Sequence, residues 1–183
     1  MASEYMTDIE TIRRRAREHL DRGAVTEGYK ADLPVVLKLL NTALATELVC
    51  VLRYKRHYYM AKGIHSQAVA QEFLEHAGEE QGHADEIAAR IAQLGGEPDF
   101  APQGLHLRSH SSYVEGTTLA EMIKEDLIAE RIAIESYAEM IRYIGDDDST
   151  TRSMLERILA TEEEHAEDLA DLLATVEPGK RPD

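Results

Sequence analysis

The chain has 183 residues, with 20 Lys and Arg against 35 Asp and Glu, so its formal net charge is −15 with histidine neutral. This length suits one domain, or one domain with a short extension. Hydrophobic residues make up 43% and charged residues 30%, so the chain can bury a core and is not predicted to be disordered. The acidic balance disfavours nucleic acid as the main partner, because binding to phosphate relies on Lys and Arg.

The sequence also limits the expected cellular location of the protein and the chemistry that its cysteine can perform. No apolar run is expected to approach the roughly 20 residues of a membrane span, and the acidic start MASEYMTDIE does not resemble an export signal. Cys50 is the only cysteine, which excludes a disulfide within the chain and a four-thiolate metal site. We therefore expect a cytoplasmic protein without a membrane partner, whose acidic groups bind metal cations.

The first predicted element is a short helix within residues 1–30. Thr7 to Glu10 has the pattern of a capping box, and the helix after it carries the basic run Arg13 to Arg17. Residues 1–30 hold six basic and six acidic side chains, so this segment is neutral and the acidic excess lies in the remainder. We interpret residues 1–30 as an N-terminal helical extension and residues 31–183 as the main domain.

Four long stretches follow in which apolar residues recur at steps of three and four, a pattern typical of helices with one buried face. The first runs from about Asp32, as a cap, to Lys62, and the second from Ser66 to Leu94, where Gly95 and Gly96 stop it. The third begins after a Thr118 to Glu121 capping box, and the fourth runs from the acidic residues 146–148 to Val176.

The connections between these helices differ greatly in length. The first and third connections, around residues 63–65 and 145–148, are short and predict antiparallel neighbours. Gly95 to Gly116 has about 22 residues, which can span roughly 70 Å when extended, whereas a helix of about 29 residues is roughly 44 Å long. The sequence therefore predicts an all-α four-helix bundle with a long crossover between helices 2 and 3.

Six polar residues fall on the predicted buried faces, where an unpaired carboxylate costs several kcal/mol. Two of the helices share the pattern E-x-x-H-A-[DE]-[DE]-[IL]-A, and in each of the other two a buried-face Glu is followed by a Tyr seven residues later. The two halves therefore repeat one plan, and a pseudo-twofold axis would bring their polar residues together at mid-bundle. The set is Glu47, Glu80, His83, Glu130, Glu162 and His165, with Tyr54 and Tyr137 as the paired tyrosines.

The charge of this set indicates a metal site. Four carboxylates carry −4, and two divalent ions would neutralise them while the imidazoles stay uncharged. Carboxylate with imidazole suits iron or manganese, whereas structural zinc sites favour thiolate.

These motifs, from Glu47 to Tyr54, Glu80 to His83, Glu130, and Glu162 to His165, resemble bacterioferritin and the Dps-like miniferritins with a bacterioferritin-type site. The resemblance covers about residues 32–176 and implies a ferritin-like fold with two iron ions per subunit. It implies that Glu47 and Glu130 are terminal ligands, Glu80 and Glu162 bridging carboxylates, and His83 and His165 nitrogen ligands. Tyr54 matches the family tyrosine that contacts these ligands, and it completes the expected catalytic set.

The resemblance also implies a function and an assembly. The expected activity is that of a ferroxidase, which oxidises Fe(II) with O2 or H2O2 for iron storage, detoxification and protection against oxidative stress. Gln81 stands where bacterioferritin has a haem-ligating Met, so haem is not expected. Only 18 residues follow His165, too few for a fifth helix, so a closed shell of 12 subunits is expected rather than 24.

Several alternatives stay open from the sequence. A di-manganese catalase or a small di-iron oxygenase could use the same ligands, and manganese could replace iron. A DNA-protecting Dps-type protein could use the Arg13 to Arg17 run, although the net charge disfavours it. His76, with Glu75 and Glu79, is a candidate for an iron site on the inner surface, and Cys50 is interpreted as a small core residue.

Overall fold

The computed structural model describes residues 7–63 and 66–177, and within those ranges all regular structure is helical. The long helices are α2 (Leu33–Met60), α3 (Ser66–Gln93), α5 (Leu119–Ile144) and α6 (Ser149–Val176), and the short ones are α1 (Ile9–Arg15) and α4 (Leu105–Arg108). The prediction of an all-α four-helix bundle is confirmed. Residues 1–6, Ile64 and His65, and the tail from residue 178, on which the predicted shell size partly rests, lie outside the described residues.

Side-chain caps explain where the long helices begin. Asp32 accepts a hydrogen bond from the Val35 N–H at 3.3 Å, and Pro34 occupies the first turn of α2. At the start of α5 both halves of the Thr118 to Glu121 capping box are formed. Asp148 caps α6 by accepting from the Thr151 N–H at 2.9 Å. The predicted starts of α2, α5 and α6 therefore follow from local chemistry.

The predicted cap of α1 was wrong by one residue. Asp8, not Thr7, is the N-cap, and its Oδ1 accepts from the N–H groups of both Glu10 and Thr11 at 3.1 Å. A carboxylate oxygen at this position satisfies two of the N–H groups that a helix leaves without partners, and its negative charge suits the positive end of the helix dipole. α1 itself contains no buried residue.

The long segment between α3 and α5 returns along α2, as its length predicted. At the end of α3, Gly95 takes a φ of +79°, and the Gly96 N–H donates to the Ile91 carbonyl at 2.9 Å. Four polar side chains of α2 then bind successive backbone groups of this crossover: Asn41 with Glu97 O at 3.2 Å, Thr46 with His110 N at 3.0 Å, Arg53 with Ser112 O at 3.1 Å and His57 with Glu115 O at 3.0 Å.

The bundle consists of two helical hairpins, because α2 packs mainly on α3 and α5 mainly on α6. Its interior contains two apolar clusters. One includes Leu40, Ile91 and Leu155, and the other includes Phe73, Ile123 and Leu169. Several charged residues in the middle of the long helices are also fully buried. The fold therefore places a polar layer within an apolar bundle.

One helix departs from the expectation about membrane spans. α2 contains an 18-residue window of mean hydropathy 1.9, so by length and composition alone it could cross a membrane. The central helix of a soluble bundle passes the same test, and 56% of this window is buried inside the fold. The buried face of α2 also carries Glu47 and Arg53. The hydropathy of α2 therefore fits its place in the core.

Part of the segment before α2 packs on the bundle. Val25, Tyr29 and Ala31 contact the cluster that includes Leu40, and the Tyr29 hydroxyl donates to Asp148 Oδ2 at 3.0 Å. The same carboxylate receives hydrogen bonds from Arg90 on α3. The division at residue 30 stays a prediction, but these contacts join the end of the extension to the bundle.

Candidate metal centre

All six polar residues predicted from the repeat meet at mid-bundle, one or two from each long helix. They form two groups in which one ligand atom from each residue lies within 4.8 Å of the others. The first group contains Glu47 and His83, the second contains Glu130 and His165, and both include Glu80 and Glu162. The geometry is therefore that of two adjacent cation positions that share two carboxylates.

Both imidazoles face the carboxylates of the cluster, with their ring centroids 6.3 Å apart. His83 Nδ1 lies 3.0 Å from Glu162 Oε1, 3.5 Å from Glu47 Oε2 and 3.8 Å from Glu80 Oε2. His165 Nδ1 lies 3.4 Å from Glu80 Oε1 and 3.8 Å from Glu162 Oε2. In each case the E-x-x-H spacing places a Glu and a His of one helix on the same face.

Many of these atoms are buried without a hydrogen bond, although they lie close together. The unpartnered atoms are Glu47 Oε2, Glu80 Oε1, His83 Nδ1, Glu130 Oε2, Glu162 Oε1 and Oε2, and His165 Nδ1. Buried polar groups in folded proteins are nearly always satisfied, because an unsatisfied one loses its interaction with water and gains nothing. Seven such atoms converge on one small volume and could hold a cation among them.

Two buried tyrosines connect the halves of the site. Tyr54 of α2 donates its hydroxyl proton to Glu130 Oε1 of α5, and Tyr137 of α5 donates to Glu47 Oε1 of α2. Each tyrosine therefore holds the carboxylate of the opposite helix, which the sequence repeat did not reveal. Burial, together with the nearby carboxylates, raises the pKa of both hydroxyls well above the usual 10.0, so both stay protonated.

Without metal, protons supply part of the missing positive charge. Burial and repulsion from Glu80 raise the pKa of Glu47 well above 4.5, and burial with repulsion from Glu80 and Glu47 does the same for Glu162. Burial opposes protonation of the imidazoles, but the surrounding carboxylates outweigh it and raise the pKa of His83 to about 10 and that of His165 to about 9.

Glu80 behaves differently from its neighbours. Burial and repulsion from Glu130 act to raise the pKa of its carboxyl, but interactions with Glu47, His165 and His83 lower it below 4.5. Glu80 therefore stays ionised between the two imidazoles. A carboxylate that stays ionised between two cationic groups is well placed to contact two metal ions.

The second nitrogen of His165 has a carboxylate partner. Its Nε2 lies 2.7 Å from Glu79 Oε2, so the N–H on this side can donate to Glu79 while Nδ1 faces the cluster. A carboxylate on the outer nitrogen fixes the orientation of a metal-ligating imidazole and increases its basicity. One ligand atom each of His76, Glu79 and His165 lies within 4.8 Å of the others, so Glu79 also lies near His76, with which the sequence analysis grouped it, whereas Glu75 is exposed and outside this group.

His76 packs directly against His165. The two rings stack with their centroids 4.0 Å apart, and His76 Nδ1 lies 3.2 Å from the Tyr54 hydroxyl oxygen. Burial and the neighbouring His165 lower the pKa of His76 to about 3, so its ring is neutral near pH 7.

A fully buried ion network borders the site and was not predicted. Arg53 Nε donates to Asp126 Oδ1 at 2.7 Å, and His57 Nδ1 lies 2.7 Å from Asp126 Oδ2. Arg53 also donates to Ser111 of the crossover at 3.0 Å. Because Asp126 lies one turn before Glu130 on α5, and Arg53 precedes Tyr54 on α2, this network fixes the two helices that carry the Tyr54 to Glu130 contact. No sequence motif marks this network. The only sign of it in the sequence is that charged residues fall on the buried faces of the two helices.

Comparison with known proteins identifies relatives of most of the chain. The family described as "Ferritin-like domain" matches residues 37–178. Bacterioferritin from Mycobacterium leprae is 32% identical over 142 residues, which is 77% of this chain and 85% of that protein.

Solved structures give the same result. A dodecameric thioferritin, the bacterioferritin-related protein from Bacteroides fragilis, is 33% identical with a TM-score of 0.77, and the match covers 80% of this chain and 89% of that one. Dps from Thermosynechococcus elongatus, at 24% identity, shares the fold with a TM-score of 0.74 over 77% of this chain and 91% of its own.

The protonation of the empty cluster predicts how stability depends on pH. Folding raises the pKa of His83 and His165 above 6.5, so their contribution is complete below pH 6.5 and is lost as the pH rises through about 9 to 10. The raised pKa values of Glu47 and Glu162 act in the same direction from pH 4.5 upward. In the presence of a chelator, the melting temperature should therefore fall between pH 6.5 and pH 10.

Two variants test whether His83 and His165 cause this fall in melting temperature with rising pH. His83→Gln/His165→Gln should flatten the profile, whereas His106→Gln, at an exposed position on α4, should leave it unchanged. A melting temperature that rises over this range in the wild type would contradict the assignment.

Proposed function

This chain belongs to the ferritin-like domain family, and on that premise we propose that it is a ferroxidase that oxidises Fe(II) for storage and detoxification. The observation that carries the proposal is the convergence of seven buried, unpartnered oxygen and nitrogen atoms in two groups that share Glu80 and Glu162. Carboxylate and neutral imidazole are donors that suit Fe(II), and they accept Mn(II) as well.

Each residue has a role that follows from its position. Glu47 with His83 would hold one ferrous ion, Glu130 with His165 the other, and Glu80 and Glu162 would bridge them. Four carboxylates and two divalent ions sum to zero charge, so loading with iron would replace the protons held by the empty cluster. The hydrogen bonds from Tyr54 and Tyr137 would keep the two terminal carboxylates in place while the bridging ones adjust.

The redox chemistry balances with iron as the substrate. Two Fe(II) ions give one electron each, so one H2O2 and two protons become two water molecules, or one O2 and two protons become H2O2. Taking both electrons at one paired site avoids the release of hydroxyl radical that a single-electron step on peroxide would produce. The protein supplies the geometry and the proton-binding groups for this step. No haem is proposed, because Gln81 offers an amide that donates to Asp85 at 3.0 Å.

We further propose that the subunits assemble into a closed shell of 12. The similar protein from Bacteroides fragilis is dodecameric. Several large apolar side chains are exposed on this chain, including Leu52 at 53%, Tyr59 at 78%, Leu107 at 79% and Tyr143 at 55%, and contacts between subunits would bury some of them. A shell would also enclose part of the acidic surface around a cavity for oxidised iron.

Loss of either shared carboxylate should abolish rapid iron oxidation. Glu80→Ala and Glu162→Ala each remove a group that would contact both ions, so we expect the initial rate of Fe(II) oxidation, followed by stopped-flow absorbance, to fall by roughly 100-fold. Glu164→Ala, at an exposed position on α6, should keep the wild-type rate. Equal loss in all three variants would contradict the bridging assignment.

The assembly is tested by measuring mass in solution. At neutral pH and moderate salt, light scattering should give about twelve chains per particle, which together carry 12 × −15 = −180 formal charges. A monomer or a dimer would overturn both the shell and mineral storage, while leaving the paired metal site open to test by oxidation kinetics.

A further inference from the structure

The short helix α1 has an apolar side that is exposed in the described part of the chain. Ile9 and Ile12 are both exposed, and Ala16, seven residues after Ile9, lies on the same side of the helix. Within residues 7–63 and 66–177, the hydrogen bonds and ion pairs of residues 8–22 are all with partners in residues 8–27. An isolated helix needs roughly 12–15 residues to be stable in water, and α1 has 7. α1 therefore needs a surface on which to pack.

The rest of the surface of α1 is basic. Residues 9–17 contain four arginines and one acidic residue, so this segment carries a net charge of +3 on a chain whose net charge is −15. Arg15 is three residues after Ile12, so it borders the apolar side, and within the part of the chain that the structure describes it forms no ion pair. An apolar strip bordered by an unpaired cation suits an apolar groove with carboxylates at its edge.

The bundle has such a groove between α2 and α5, open to solvent and with a volume of about 450 Å³. Two carboxylates of α5, Glu135 and Glu139, line it. Among the described residues Glu135 has no ion-pair partner, and Glu139 lies 4.0 Å from Arg142, with both side chains mostly exposed. These carboxylates are therefore accessible to a cation from outside the chain. The apolar lining of the groove is formed by Val35, Leu39, Met140 and Tyr143.

We propose that α1 of one subunit docks in the α2–α5 groove of a second copy of this chain. Ile9 and Ile12 would lie against the apolar lining, and Arg15 would lie beside Glu135. In its own chain α1 has no buried residue, so it does not fill the groove of that chain.

Nucleic acid fits these features less well than a second copy. It would engage the arginines but leave Ile9 and Ile12 exposed, and the net charge of −15 repels phosphate. The docking requires self-association, so it rests on that part of the proposed function, but it does not depend on iron oxidation.

Cross-linking between two introduced cysteines tests which chain fills the groove. Ala16→Cys places a thiol on the apolar side of α1 without removing an isoleucine, and Ser136→Cys places one in the groove by a nearly isosteric change. The native Cys50 is buried, so a short bismaleimide should not react with it in the folded protein. Two differently tagged full-length chains, each with one of these substitutions, are co-expressed and treated with the reagent. The expected product is a covalent dimer that carries both tags.

A control places the second thiol on another face of the bundle. Ser153→Cys makes the same change at an exposed position on α6 and should not give the dimer with Ala16→Cys. Equal yields at Ser136 and Ser153, or no dimer in particles of the proposed size, would overturn the docking and leave the shell intact. A monomer by light scattering would overturn both. In a chain with Ala16→Cys and Ser136→Cys together, a cross-link within one chain would identify its own α1 as the occupant and would also overturn the proposal.

Charge reversal tests the contact between Arg15 and Glu135. Arg15→Glu and Glu135→Arg alone should each lower the yield of the cross-linked dimer by roughly fivefold, because like charges then face each other, and the two together should restore it. Arg15→Glu with Glu164→Arg, at an exposed acidic position on α6, should not restore it. Binding to a mixed-sequence DNA duplex that Arg15→Glu abolishes, without any cross-linked dimer, would overturn the proposal and assign α1 to nucleic acid.

Discussion

Four carboxylates in the middle of a helical bundle impose the constraint on which this structure depends. Glu47, Glu80, Glu130 and Glu162 are each at most 1% exposed, and charges of one sign at that depth must be neutralised. The empty protein can hold protons on Glu47, Glu162 and the two imidazoles, and metal ions would displace them. Folding, proton binding and metal binding are therefore expected to be linked at one layer of the bundle.

Contacts around the four carboxylates hold the helices that carry them in fixed relative positions. The crossover is bound to α2 at intervals along its length, and the buried Arg53 to Asp126 pair joins α2 to α5 beside the site. Tyr54 of the first hairpin then donates a hydrogen bond to Glu130 of the second, and Tyr137 of the second donates one to Glu47 of the first. Apolar clusters in the bundle supply hydrophobic burial that offsets the free-energy cost of burying these carboxylates.

The repeat made the six central residues predictable, because a polar side chain on an apolar helix face is visible in the sequence alone. Helix starts at Asp32, Thr118 and Asp148 were predictable for a similar reason, since capping is local chemistry. The tyrosine partners were not. That Tyr54 reaches Glu130 and Tyr137 reaches Glu47 depends on the rotation and axial offset of separate helices, which no spacing within one helix records.

The central claim is that metal ions at these six residues replace the missing positive charge of the bundle. The most direct measurement is the melting temperature with and without Fe(II) under anaerobic conditions, in the wild type and in His83→Ala/His165→Ala. Ions that bind only the folded site should raise the wild-type melting temperature, and most of that gain should disappear in the double variant. An equal gain in both proteins would show that the ions act on the general acidic surface, and would contradict the account.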